Sequence, residues 1–170
     1  MQKQTEGGTT GNRIWIFLQK LELKIPPPLV MLLVGTGMWG ISLATAQVEV
    51  NVYIRSVAAL VIAMLGGFCS FAGVISFRRA KTTINPMKPM EATTLVCSGI
   101  YKVTRNPMYT GLLFVLIAWA VYLSSVWALL GPIVFMAYIR QFQITPEEKV
   151  LAEIFGNTYA IYRASVRRWL

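Results

Sequence analysis

From Asn106 to Ile139 the chain runs for 34 residues without an Asp, Glu, Lys or Arg. A charge-free stretch of that length belongs in hydrocarbon rather than water. As one helix it would extend about 51 Å, far beyond a bilayer core roughly 30 Å thick, so its length predicts a hairpin divided at Ser124-Ser125. Polar motifs bracket the run. Gly99-Ile-Tyr-Lys-Val-Thr-Arg-Asn-Pro-Met-Tyr109 leads into it; Thr145-Pro-Glu-Glu148, Phe155-Gly156 and Tyr159-x-x-Tyr162 follow. A hairpin returns both motifs to one membrane face, so two distant segments would form one site.

Two further charge-free segments, Ile25 to Val48 and Ser56 to Phe77, precede the run. The second would reach about 33 Å as a helix, enough to cross. Charged residues are 14% of the chain against about 25% in soluble domains, and mean hydropathy is +0.56. The expectation is an all-α integral membrane protein in a single membrane domain. It has about four transmembrane helices, at 29–46, 56–77, 108–124 and 126–143, and two C-terminal cytoplasmic or interfacial helices over 146–168. Charge placement tests that count. With four spans, fifteen of the sixteen basic residues fall on one side, leaving only Arg55 on the other. The positive-inside rule then puts both termini and the 78–105 loop in the cytoplasm, the membrane being the inner or plasma membrane in a bacterium. Three spans would divide the charges across both faces. Ala44-Thr45-Ala46 after an apolar run also resembles a secretory cleavage site, but the preamble ending in Pro26-Pro27-Pro28 is long for such a signal.

The chain has no histidine, which removes Ser-His-Asp chemistry, His-based metal sites and the commonest general base. Cys69 and Cys97 fall in an apolar span and a polar loop, so neither a disulfide nor a metal site is expected. Residues 1–11 read as a disordered tail. Residues 12–24 read as an interfacial amphipathic helix, or equally as a helix packed on the bundle; Ile14, Phe17, Leu18 and Leu21 form its apolar stripe. Gly35, Gly37, Gly40, Ala63, Gly66 and Gly67 suit close helix crossings in the first two spans. Prolines between Phe77 and Cys97 forbid a continuous helix there, so this is a linker or a binding loop, and its place before the first motif favours the second.

Asn106-Pro107 reads as a helix start, with Asn capping the free amides and Pro at the first position. The helix terminus together with Arg105 suits a carboxylate or phosphate, although capping plus an Arg at headgroup level explains the same residues. Tyr101 and Tyr109 likewise suit interfacial anchors. Thr145-Pro-Glu-Glu148 reads as a second helix start. Thr145 and Glu148 have capping-box spacing, which leaves Glu147 as the acid without a structural task. Gly156-Asn157 suits a helix stop, and Tyr159 and Tyr162 read as packing groups.

Taken together, Gly99-x-Tyr101-x-x-x-Arg105-Asn106-Pro107-x-Tyr109-x-Gly111, an apolar hairpin, and Glu147-Glu148-x-x-Leu151-x-x-x-Phe155-Gly156-x-x-Tyr159-x-x-Tyr162 resemble the isoprenylcysteine carboxyl methyltransferase and phospholipid methyltransferase superfamily. The resemblance covers roughly residues 75 to 170. It implies an integral-membrane enzyme using S-adenosyl-L-methionine, with the cofactor held by Thr93, Thr94, Leu95 and Val96, by Tyr101, by Asn106, Pro107, Met108 and Tyr109, and by Glu147. The cofactor's carboxylate suits the helix terminus and Arg105, its ammonium suits Glu147, and tyrosine faces suit sulfonium or adenine. Two positions depart from the superfamily. Asn106 replaces the usual His, and Gln143 stands where the eukaryotic isoprenylcysteine enzymes carry a substrate-contacting Arg, with Arg140 about one turn earlier.

A carboxylate acceptor is ionised at pH 7 and requires no base, whereas a protonated amine requires one and the chain has no His. This favours carboxyl O-methylation of a lipid-like or small hydrophobic acceptor over phospholipid N-methylation. A membrane sterol-type reductase and a non-catalytic membrane scaffold are the readings from other classes. The expected partners are the membrane and that acceptor, with no nucleic acid and no metal.

Overall fold

The computed structural model describes residues 23–80, 90 and 93–170. The expected disordered tail, nearly all of the 12–24 helix and most of 81–92 lie outside the described residues. Those described form α1 (Pro27–Ala44), α2 (Val52–Arg79), a 3-10 turn (Gly99–Lys102), α3 (Pro107–Leu123), a second 3-10 turn (Val126–Leu129), α4 (Leu130–Ile139), a π turn (Arg140–Ile144) and α5 (Thr145–Ser165). Among the described residues there is no strand, only an isolated parallel bridge between Thr104 and Arg167.

Local chemistry sets the helix ends. The proline run supplies the first position of α1, and the Asn51 side chain accepts the Tyr53 N–H at the start of α2. Arg78 and Arg79 sit in the last turn of α2, where cations complement the helix dipole. α1 and α2 are long and apolar enough to cross a membrane. A soluble core helix of that composition would be mostly buried, yet the apolar windows of α1 and α2 are only 22% and 11% buried. Leu33, Leu43, Leu60, Met64, Phe68 and Phe71 point outward. An apolar exterior of this extent suits hydrocarbon.

The uncharged run turns where its two serines stand. Ser124 adopts the left-handed conformation (φ 52°) and ends α3. Its hydroxyl donates to the Val48 carbonyl at 2.7 Å, the Val48 N–H returns to the Ser124 carbonyl at 2.7 Å, and the Thr45 and Ser125 hydroxyls lie 3.0 Å apart. The α1–α2 connection is thereby fastened to the hairpin tip. Two helices of the described chain, not four, reach spanning length. α3 has 17 residues, and the returning limb passes through 3-10, α and π geometry. Thirty-four residues divided by a corner leave each limb short.

α2 and α3 cross backbone to backbone. A Cβ on Gly111 would lie 2.0 Å from Ser70 Oγ and 2.4 Å from the Gly66 carbonyl oxygen; one on Gly73 would meet Met108 and Pro107. α1 packs on α4 differently, with the Met38 side chain laid against Gly131. Of the glycines expected at crossings only Gly66 makes one, since Gly37, Gly40 and Gly67 face open space and Gly35 makes ordinary contact. Evenly apolar helices give no stripe from which to choose the packed face.

The expected helix start at Thr145 is also corrected. The chain is helical on both sides of it, Ile144 makes no cap, and the Thr145 hydroxyl donates back to the Arg140 carbonyl at 2.7 Å across the π turn. The change of direction comes later, at Gly156 (φ 49°, ψ −124°), a conformation open to glycine.

Candidate active site

The first motif is held from the C-terminus. After α5 the chain returns beside residues 104–106. The Arg105 N–H donates to the Arg167 carbonyl at 2.9 Å, and Thr104 Oγ1 accepts the Asn106 N–H and donates to the Arg168 carbonyl, both at 3.2 Å. Asn106 Nδ2 donates to the same Arg168 carbonyl at 2.9 Å. The expected Asn106 cap is absent: its side chain is turned to the returning tail through Nδ2, and its oxygen accepts no amide of the first turn of α3. Pro107 does occupy the first helical position, buried against Gly73.

The two adjacent acids face different neighbours, as successive positions about 100° apart on a helix must. Glu148 receives Arg105 Nη2 at 3.2 Å, and Arg168 Nη2 and Nε at 2.6 and 3.0 Å. This two-arginine clamp replaces the expected capping box with Thr145. Glu147 instead accepts a hydrogen bond from the Tyr109 hydroxyl. That bond joins the motifs on either side of the apolar hairpin.

The electrostatics of the two acids diverge accordingly. Burial pushes the Glu147 carboxyl up to about 8; the Tyr109 bond acts downward and the Glu148 charge upward. Glu147 still keeps part of its surface accessible. The Arg105 side chain is 10% exposed, and its Nε and Nη1 are buried without a hydrogen-bond partner among the described residues. Among the described residues, then, two buried donors and an acid unmatched by a cation lie at adjacent positions of α5 and its arginine partner. Such groups are costly unless something of opposite charge completes them.

Tyrosines wall the region. Tyr101 is buried, packs edge-on against Phe77 with centroids 5.4 Å apart, and accepts the Tyr162 hydroxyl on its carbonyl at 2.8 Å. Burial, then Tyr162 and Glu147, hold its phenol well above the ordinary range. Tyr159 is pushed up to about 12, by burial first and Glu148 next, against the pull of Arg105, Arg163 and Arg168. Among the other expected residues, Thr93 and Thr94 are exposed, Leu95 and Met108 half-buried and Val96 buried. Arg140 is exposed on the π turn. Gln143 is fully buried and donates to the Ile25 carbonyl at 2.9 Å, fastening the chain before α1 rather than presenting an accessible surface. Sequence reasoning missed Arg168 and Thr104. Arg168 entered only the count of basic residues on the cytoplasmic side, and a partner 20 residues away leaves no local spacing signal.

A family model described as phospholipid methyltransferase matches residues 54–158, from α2 through most of α5. A protein of Haemophilus influenzae described as uncharacterized is 48% identical over 63 residues, which cover 37% of this chain and all of that protein. No solved structure matches.

Proposed function

We propose that this chain, which belongs to the phospholipid methyltransferase family, is a membrane methyltransferase that uses S-adenosylmethionine and acts on a lipid-like acceptor. One observation carries the reading. Among the described residues Arg105 keeps two buried guanidinium donors without partners, and Glu147, the chain neighbour of the Glu148 that Arg105 contacts, has no ion-pair partner. A carboxylate completes the first and an ammonium the second, and the amino-acid end of the cofactor bears both. The uncapped first turn of α3 adds amide donors on the carboxylate side. When bound, S-adenosylmethionine supplies an electrophilic methyl group on a sulfonium.

The residues of this chain bind, orient and exclude water. Arg105 is fixed by Glu148, which Arg168 fixes in turn. Tyr109 directs the Glu147 carboxylate, and Tyr101 supplies an aromatic wall suited to a cation or to adenine. Thr93 to Val96 and Met108 are proposed as the remainder of the cofactor seat. Placing both motifs and both termini on the cytoplasmic side, with the α3–Ile144 hairpin entering the membrane, gives cofactor and acceptor separate approaches. Arg140, exposed on the π turn, is the proposed contact for a substrate headgroup.

A carboxylate acceptor gives up no proton, and we favour carboxyl O-methylation on that ground. Phospholipid N-methylation has one observation of its own in support. With its carboxyl pushed up to about 8, Glu147 is basic enough to take a proton from an ammonium if the cofactor leaves it free. Family membership favours either over the sterol-type reductase and the scaffold. Purified protein incubated with methyl-labelled cofactor and membrane lipid tests both readings. Alkali releases methanol from a methyl ester and leaves an N-methyl group in place. No transfer to any lipid, with no cofactor binding by folded protein, overturns the proposal.

A further inference from the structure

At the end of the bundle away from Glu147, α1 and α2 each pack on α3 but scarcely touch each other. Between them lies a crevice of about 610 Å³, walled by Gly35 and Trp39 of α1, Ala59 and Ala63 of α2, and Trp119 and Tyr122 of α3. Its lining is almost wholly apolar, and the Thr36 hydroxyl within it is spent on the Leu32 carbonyl. A sugar or nucleotide would find too few partners there; a hydrocarbon chain asks for none.

One wall is fixed as a relay. Trp119 Nε1 donates to the Gly35 carbonyl at 3.0 Å, the Trp119 and Tyr122 rings stack at 5.5 Å, and the Arg55 guanidinium lies 5.7 Å from the Tyr122 centroid. Arg55 is the basic residue that charge placement sets apart from the other fifteen. Its Nε is buried without a hydrogen-bond partner, and no ion pair joins it to Glu49, the exposed acid of the neighbouring loop, among the described residues. Tyr122 lies about 20 Å along α3 from Tyr109, so this cation and the methyl-transfer site occupy opposite ends of the bundle.

We infer that the crevice binds an anionic phospholipid, with an acyl chain between α1 and α2 and the phosphate on Arg55. The inference does not depend on methyl transfer.

Full-length protein stripped of lipid in detergent is titrated with phosphatidylglycerol and phosphatidylcholine of matched chains, and retained lipid is counted by native mass spectrometry. Phosphatidylglycerol should be retained about fivefold more tightly, the increment expected of one surface arginine. Arg55→Gln should abolish that preference and Arg55→Lys should keep most of it. Ala63→Phe, which fills the crevice, should release both lipids, and inorganic phosphate should not compete. An unchanged preference in Arg55→Gln overturns the assignment, as does displacement by phosphate alone. A dimer that Ala63→Phe dissociates would give the crevice to a second copy instead. If circular dichroism shows that Ala63→Phe has not folded, the two Arg55 variants decide the matter.

Discussion

Glu147→Gln should stabilise the empty protein while weakening its hold on cofactor, and the sign follows from linkage. In the unfolded chain this carboxyl ionises near its ordinary value of 4.5; in the folded chain it does so near 8. Between those values folding takes up a proton, so the stability present at low pH is lost as pH rises toward 8 and levels off above it. One proton corresponds to about 1.4 kcal/mol per pH unit, giving a ceiling of about 5 kcal/mol across the window. Solvent at the exposed edge of Glu147 screens part of this, so about 2–3 kcal/mol at pH 8 is the working figure. Glutamine stays neutral throughout and keeps an oxygen for the Tyr109 hydroxyl. Its melting temperature in detergent should exceed the parent's by about 5–10 °C at pH 8, with the difference vanishing near pH 5. Tryptophan fluorescence during heating reads this directly. Cofactor affinity should fall roughly tenfold to a hundredfold, the worth of one charge-assisted contact. An acid with a purely structural task would lose stability on substitution. Parallel melting curves across pH, or a lower melting temperature for the variant at pH 8, would refute the reasoning.

Glu148→Gln should do the opposite, costing about 3 kcal/mol because it leaves Arg105 and Arg168 without their shared carboxylate; urea unfolding in mild detergent measures it. Gly111→Ala should destabilise by about 1–3 kcal/mol, since the Ser70 and Gly66 backbone must move, whereas Gly67→Ala should be close to neutral; thermal melts of the pair make the comparison. For topology, single cysteines at Thr5, Thr83, Val126 and Leu170, in a background with Cys69 and Cys97 replaced by serine, should react with an impermeant reagent outside intact cells only at 126. Outside labelling at Thr83 would separate the two halves of the proposed site.

The long uncharged run shows how far pattern reaches. Its length forced a corner, and Ser124-Ser125 were the polar residues available to make one. Chemistry within a few residues of the corner then fixed the α3 end. The packed faces were not legible in the same way. α1, α2 and α3 are apolar all round, so the choice of Gly66, Gly73 and Gly111 over Gly37, Gly40 and Gly67 depends on helix rotation, which hydrophobic periodicity encodes only when one face is polar. Thr145-Pro146 misled for a related reason. A proline at a fresh helix start and a proline just after a π turn have the same local sequence, and the difference lies in whether the preceding turn has its own core to bury. Ile139, Gln143 and Ile144 do, each fully enclosed.

The site was legible as a meeting of motifs and illegible as a division of labour. The Tyr109–Glu147 bond joins the segments that the hairpin was expected to join. Glu147 is the acid with no arginine on it among the described residues, but not for the reason expected. Glu148 is occupied by two arginines, one of them beyond the last helix, rather than by its own helix end. A capping box is visible in four consecutive residues, whereas a clamp assembled from residues 105, 148 and 168 exists only once the chain has closed. This difference changes what each acid does for the protein. With Glu148 neutralising Arg105 on one edge, the guanidinium's other nitrogens stay unpaired among the described residues, and so does the half-buried Glu147 carboxylate as regards a cation. The clamp that holds the fold together thereby leaves an unbalanced pair of groups, and it is that pair which we propose holds the zwitterionic end of the cofactor.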